Sequence, residues 1–247
     1  MELIVLGAGP AYTDRPGAAG AAYLVRDAAT AILLDLGQGA FPGLARELEP
    51  STLDSILISH LHPDHFVDLV SLRHYLRWEF RPPRCVSVRG PVDLAKRLDG
   101  VAGEPGFTAE VFDLDGLADR AIDVGTLRVE AAPVTHTDES YAFRVSAAGS
   151  AGLVYSGDCG VAEDLDPLVH RGDVLLTEVA FGPGPVPDGA FHLDGPAVGR
   201  LAARTGAGRV LLTHIQMGFD PDETVRTVRE RYAGPVEFVD PGDRVSI

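Results

Sequence analysis

One short segment constrains this chain more than any other feature. Ser59-His60-Leu61-His62-Pro63-Asp64-His65 places three histidines and an aspartate within six residues, directly after the apolar run Ile56-Leu57-Ile58. A strand that ends in such a cluster delivers several donors to one point in space, as a metal site requires. The donors are imidazole nitrogen and carboxylate oxygen, with no thiolate. That mix suits zinc and is compatible with manganese or iron(II).

The rest of the chain sets the bounds. Its 247 residues predict a single domain spanning 1–247. No segment approaches the run of about 18 apolar residues that a membrane span needs, so no membrane partner is expected. The opening Met1-Glu2-Leu3-Ile4-Val5-Leu6-Gly7 has neither the basic region nor the cleavage site of a signal peptide, so a cytoplasmic location is the expectation. Net charge is −15. Such a surface repels phosphate backbones and argues against a large nucleic acid partner. A small anionic substrate is still compatible, because bound metal ions dominate their local field. Cys85 and Cys159 are too few for a structural zinc site, and both are expected as small buried residues.

Short apolar runs punctuated by Gly and Pro alternate with helical patterns. Strands are predicted at Glu2–Leu6, Ala22–Arg26, Ala31–Asp35, Leu53–Ser59, Arg84–Val88, Phe107–Leu114, Ala121–Pro133, Tyr141–Val145, Gly152–Tyr155, Val174–Thr177 and Arg209–Thr213, with Pro235–Val239 last. Helices are predicted at Phe41–Leu48, His65–Trp78, Pro91–Leu98, Leu165–His170, Asp194–Thr205 and Asp222–Tyr232. Gly7, Gly9, Pro16, Gly17 and Gly20 fall in turns, and Gly182–Gly189 is a loop. The fold class that fits is α+β, with two sheets face to face and helices on the outer faces.

Three more donors stand where apolar runs end. His136 follows Ala132-Pro133-Val134-Thr135, Asp158 ends Tyr155-Ser156-Gly157-Asp158, and His214 ends Val210-Leu211-Leu212-Thr213-His214. With all these residues in that order, the chain resembles the metallo-β-lactamase superfamily over nearly its whole length. The resemblance implies an αββα sandwich and a cofactor of two divalent ions, zinc first. It assigns one ion to His60, His62 and His136, the other to Asp64, His65 and His214, and makes Asp158 the bridge. Asp64 both ligates and orients. Such a pair lowers the pKa of a water and holds attacking and leaving oxygens. His62 stands where flavodiiron oxidoreductases have glutamate, and Asp158 where β-lactamases often have cysteine; both choices favour a dinuclear hydrolase.

A second segment narrows the branch. Leu176-Thr177-Glu178-Val179-Ala180-Phe181, then Phe191-His192-Leu193-Asp194-Gly195, resembles the transfer-RNA 3′-processing enzymes and their small phosphodiesterase relatives. The resemblance makes His192 the proton donor to the leaving oxygen and Glu178 its orienter. The transfer-RNA enzymes carry a long arm between the positions of His136 and Asp158. Here only 21 residues separate them, which read as one hairpin. The expectation is a phosphodiesterase for a small substrate such as a cyclic nucleotide, with a homodimer implied by the relatives. The alternative is hydrolysis of an ester, lactone or thioester by the same metal pair. Gly7-Ala8-Gly9 lacks the third glycine and the βαβ setting of a dinucleotide fingerprint. His74 is read as a surface residue, His170 as a helix-end cation that complements the dipole and has no catalytic role, and Trp78 as core or interface.

Overall fold

A computed structural model describes residues 1–15, 17–117 and 121–247; Pro16, expected in a turn, lies outside them. The strands run β1 Glu2–Gly7, β2 Ala22–Arg26, β3 Ala31–Leu34, β4 Ser55–Leu57, β5 Val86–Arg89, β6 Phe112–Asp115, β7 Ala121–Val124, β8 Leu127–Pro133, β9 Tyr141–Ala147, β10 Leu153–Tyr155, β11 Val174–Glu178, β12 Arg209–Thr213, β13 Val236–Phe238 and β14 Arg244–Ser246. Helices are α1 Phe41–Glu47, α2 Pro63–Phe66, α3 Leu69–Trp78, α4 Leu94–Ala102, α5 Gly195–Thr205 and α6 Pro221–Arg229. One seven-stranded sheet has the order β14-β1-β2-β3-β4-β5-β6, the other β13-β12-β11-β10-β9-β8-β7.

Side-chain alternation along the strands builds the layers. On β1, Leu3 and Val5 enter the core between the sheets, where they meet Tyr23, Leu34, Phe143, Tyr155 and Leu176. Ile4 and Leu6 point the other way, into the core under α1 and α3 with Leu44, Leu72 and Leu76. The far face of the second sheet packs Val154, Leu175, Val210 and Leu212 against Val198, Leu201 and Val228 of α5 and α6. Both faces are therefore buried at the centre of the second sheet, which is why the parallel strands β10, β11 and β12 read as largely apolar runs. The αββα expectation holds.

The structure corrects the expected elements at several points. His65–Trp78 is two helices, because the Asp64 carbonyl accepts from Ala21 N (2.9 Å) and the His65 carbonyl from Leu36 N (2.8 Å). Those carbonyls are lost to the helical ladder, and the break pins the ligand-bearing turn α2 to the first sheet. Ala121–Pro133 is a hairpin, turned at Gly125 with φ 55°. Leu165–His170 is not helical; a single 3₁₀ turn precedes it at Ala162–Leu165, so His170 ends no helix. Phe107–Leu114 begins its strand only at Phe112, and Arg73 Nε donates to the Phe107 carbonyl at 2.8 Å. Pro235–Val239 is not the last strand, since β14 follows and pairs with β1. Trp78 is 55% exposed rather than core, and Cys85 is exposed rather than buried. Gly7 and Gly20 allow two backbone segments to cross: a Cβ on Gly7 would meet the Gly20 carbonyl oxygen at 1.9 Å. That crossing explains the glycine pattern without a dinucleotide. Among the described residues no helix is long and apolar enough to cross a membrane.

Candidate metal centre

The candidate residues converge on one edge of the sandwich, where strands of both sheets end. β4 leads into His60 and His62, and α2 presents Asp64 and His65. His136 follows β8, Asp158 follows β10, and His214 follows β12. The Tyr141 amide at the start of β9 donates to the Ser59 carbonyl (2.9 Å), which ties the second sheet to the histidine loop.

The hydrogen bonds behind the rings fix their tautomers. Ser59 Oγ donates to Asp35 Oδ2 (2.7 Å), so it accepts from His60 Nδ1 (3.1 Å). His136 Nδ1 donates to the Phe191 carbonyl (2.7 Å), and His65 Nδ1 donates to Asp35 Oδ2 (2.7 Å). With Nδ1 engaged, each ring directs its Nε2 inward. His60 Nε2 and His136 Nε2 stand 3.0 and 3.1 Å from His62 Nδ1, and 3.7 and 3.6 Å from Asp158 Oδ2. In the other half, His214 Nε2 is 3.3 Å from His65 Nε2 and 3.2 Å from Asp64 Oδ2. Asp158 Oδ1 lies 3.4 Å from His65 Nε2 and 3.5 Å from His214 Nε2. Donors held at about 2.0–2.1 Å in a tetrahedron about zinc are themselves about 3.3 Å apart. The spacings suit two four-donor cradles that share Asp158, one oxygen each.

Buried polarity supports that fit. Asp158 Oδ1 is buried and accepts no hydrogen bond from the described residues, an arrangement that a cation compensates. Burial, and then the charge of neighbouring imidazoles, pushes His60 well below its ordinary pKa. His62 and His136 are lowered chiefly by burial. All three are therefore held in the neutral form that ligates metals. Asp158 and Asp35 outweigh the burial of His65 and push it well above the usual range. Burial opposes the charge of Asp158, but His214 and His65 hold it well below the usual range. Groups of these residues, His60/His62/His136/Asp158 and Asp64/His65/His214, could each hold a metal ion.

Asp35 is the site residue that sequence reading missed. It was read as the end of a strand. It is fully buried at φ 58°, and it accepts from Ser59 N (2.7 Å), Ser59 Oγ, His65 and the Tyr155 hydroxyl (2.7 Å). The available signal was its place after Ala31-Ile32-Leu33-Leu34, the same strand-end position that marked the ligands.

Glu178 and His192 also meet as expected. His192 Nδ1 donates to Glu178 Oε1 at 3.0 Å. Glu178 is buried and its carboxylate also accepts from the amides of Cys159 (3.0 Å), Leu193 (3.2 Å) and Ala180 (2.8 Å), so it cannot swing away. Burial works against the imidazolium of His192, but the Glu178 hydrogen bond and charge outweigh it and raise the ring above its ordinary pKa. The ring lies 4.7 Å from that of His136 and 6.1 Å from that of His214, centroid to centroid. His62 is exposed and His136 and His192 half-buried, so the centre opens to solvent on this side. Cys159 turns its thiol to the Val161 carbonyl (3.2 Å), and burial pushes that thiol up to about 12. It is not among the converging donors. His74 stays on the surface, bonded to the Val70 carbonyl.

The sequence model of the Beta-lactamase superfamily domain matches residues 27–215. The chain belongs to the metallo-β-lactamase superfamily of metallohydrolases. It is 30% identical over 246 residues to an uncharacterized protein of Mycobacterium tuberculosis, covering 97% of this chain and 89% of that one. It is 28% identical over 283 residues to ribonuclease Z of Mycobacterium avium, covering 100% and 98%. The crystal structure of the metallo-β-lactamase fold protein YhfI from Bacillus subtilis superposes with a TM-score of 0.87 at 21% identity, covering 99% of both chains. The strand-end His/Asp clusters of this superfamily member are suited to divalent metal.

Proposed function

We propose that residues 1–247 form one dinuclear phosphodiesterase unit that hydrolyses a small phosphodiester, such as a cyclic nucleotide. His60, His62 and His136 would hold one divalent ion, zinc by donor type, and Asp64, His65 and His214 the second, with Asp158 between them. When bound, the pair activates water and neutralises developing negative charge. The chain's own residues do the rest. Asp35 and the Phe191 carbonyl fix the ring orientations, and Asp64 and Asp158 anchor the two halves. His192, with Nδ1 held by Glu178, is left with Nε2 to give a proton to the departing oxygen. An alkoxide is a poor leaving group, so a positioned acid lowers the barrier.

The observation that carries this reading is the Glu178–His192 pair beside the converging donors. Acyl transfer by the same metal pair needs no such acid for a good leaving group. Likeness to ribonuclease Z supports phosphorus chemistry, and the short β9–β10 hairpin with the acidic surface supports a substrate smaller than RNA. A cytoplasmic homodimer is the setting we infer.

Kinetics of His192→Ala test the reading. Turnover of a phosphodiester with an alkoxide leaving group should fall by about 10²-fold or more. Turnover of bis-(p-nitrophenyl) phosphate, whose nitrophenolate leaves unprotonated, should fall far less, and bound metal should stay the same. Equal losses on both substrates would remove His192 as the acid. A loss of metal would make it a ligand instead. Hydrolysis of aryl lactones or thioesters but no phosphodiester would favour the acyl alternative.

A further inference from the structure

A cavity of about 390 Å³ adjoins the Asp64/His65/His214 half of the centre. It is lined by residues 8–10, 13, 15, 17 and 18 and by residues 238–241 after the start of β13. His214 is among its lining residues, and the His214 amide donates to the Ala8 carbonyl at 3.0 Å. The cavity therefore shares a wall with the metal centre. Its size is at the small end of cavities that take drug-sized molecules. It suits one compact organic group and not a polymer.

The walls say what kind of group. Phe238, Pro10 and Pro241 offer apolar surface suited to a flat ring. Arg15 and Asp240 also line the cavity. Among the described residues neither side chain has an ion-pair or hydrogen-bond partner, whereas Arg26, Arg89, Arg144, Arg204 and Arg244 are each ion-paired. The Thr213 hydroxyl is already engaged with the Tyr23 hydroxyl (2.6 Å), so it is not free for a ligand. A purely anionic occupant would face Asp240, and a purely cationic one would face Arg15. The walls instead match a neutral, flat, hydrogen-bonding group that carries acceptors for a guanidinium and donors for a carboxylate. A nucleoside has both, with its sugar hydroxyls and base edges, together with an aromatic plane.

We propose that this cavity seats a single nucleoside arm of the phosphodiester, with Arg15 and Asp240 as its specificity-determining residues. The substrate class would then be a mononucleotide diester, its phosphorus at the metal centre and its nucleoside between Arg15 and Asp240. This inference rests on the phosphodiesterase reading and narrows it.

Two measurements test it on the zinc-loaded 247-residue protein and on its Arg15→Gln and Asp240→Asn variants. The first is calorimetric binding of adenosine, which lacks phosphate and so isolates the cavity. The second is the ratio of kcat/KM for cyclic AMP to that for bis-(p-nitrophenyl) phosphate. We expect saturable adenosine binding that each substitution weakens about tenfold, and a ratio that falls by a similar factor. The value is that of one charge-assisted hydrogen bond. Unaltered melting temperatures would establish that the variants fold. No saturable binding at millimolar adenosine, or equal binding by all three proteins, overturns the cavity assignment even if the aryl diester is hydrolysed. Adenosine binding that both variants weaken, with no phosphodiester hydrolysed, instead overturns the phosphodiesterase reading and leaves the nucleoside cavity standing.

Discussion

At the scale of single residues, the site depends on groups that never touch substrate. Asp35 receives the His65 Nδ1–H at 2.7 Å and three further donors. Outer carboxylates of this kind commonly change metal affinity by about 10–100-fold. Asp35→Asn should therefore weaken zinc binding by about that factor, read by competition with a chromophoric chelator, while the protein stays folded. Unchanged affinity would reduce Asp35 to a structural hydrogen-bond hub. Glu178→Gln makes a complementary case. It keeps the shape but loses the charge that raises His192, so turnover of alkoxide diesters should drop with metal content intact. A variant with wild-type turnover would dismiss the orienting role. These two carboxylates differ in how legible they were. Glu178 stood in a segment resembling known enzymes, whereas Asp35 was hidden at the end of an ordinary apolar run.

At the scale of elements, the second sheet is clamped by a buried ion pair behind the site. Asp173 accepts from Arg144 Nε (2.7 Å) and Nη2 (3.1 Å), and from the amides of Gly152 (2.7 Å) and His170 (2.9 Å). This joins β9, the start of β10 and the turn before β11. Without Asp173, Arg144 keeps only Glu130 (3.1 Å) and Ser146 (3.2 Å), and the Gly152 and His170 amides lose their acceptor, so Asp173→Ala should cost about 1–3 kcal/mol in denaturant unfolding at pH 7. Burial alone would raise the Asp173 carboxyl, but Arg144 and the two amides hold it below the usual range. Its contribution is thus present above the unfolded carboxylate pKa and is lost as pH falls through the lower folded value. The gap between wild type and Asp173→Asn should narrow as pH drops below about 4. A constant gap would show that packing, not charge, is responsible. Local sequence could not foresee the break between α2 and α3. The apolar period runs through it, and only the capture of two carbonyls by Ala21 and Leu36 interrupts the helix.

At the scale of the whole molecule, metal and fold should be linked. Six histidines and three aspartates meet where the two sheets join, and the donors come from both halves of the chain. An ion that binds this arrangement and not the unfolded chain adds about 2.7 kcal/mol at a hundredfold excess over Kd, or about 5–10 °C for a chain of this size. Chelation should lower the melting temperature of the wild type by that order and leave Asp158→Ala almost unmoved. A melting temperature indifferent to chelator would break the link. The sequence by itself determined the two-sheet architecture and brought forward seven candidate donors, because buried strands read as apolar runs and these His and Asp residues stand at or just beyond where such runs end. It also brought Glu178 and His192 forward. Only the tertiary structure decided which donors pair, that Asp158 gives one oxygen to each half, that Asp35 stands behind His65, and that a cavity opens beside His214. Those facts depend on the register of strands far apart in the chain, and local spacing carries no record of that register.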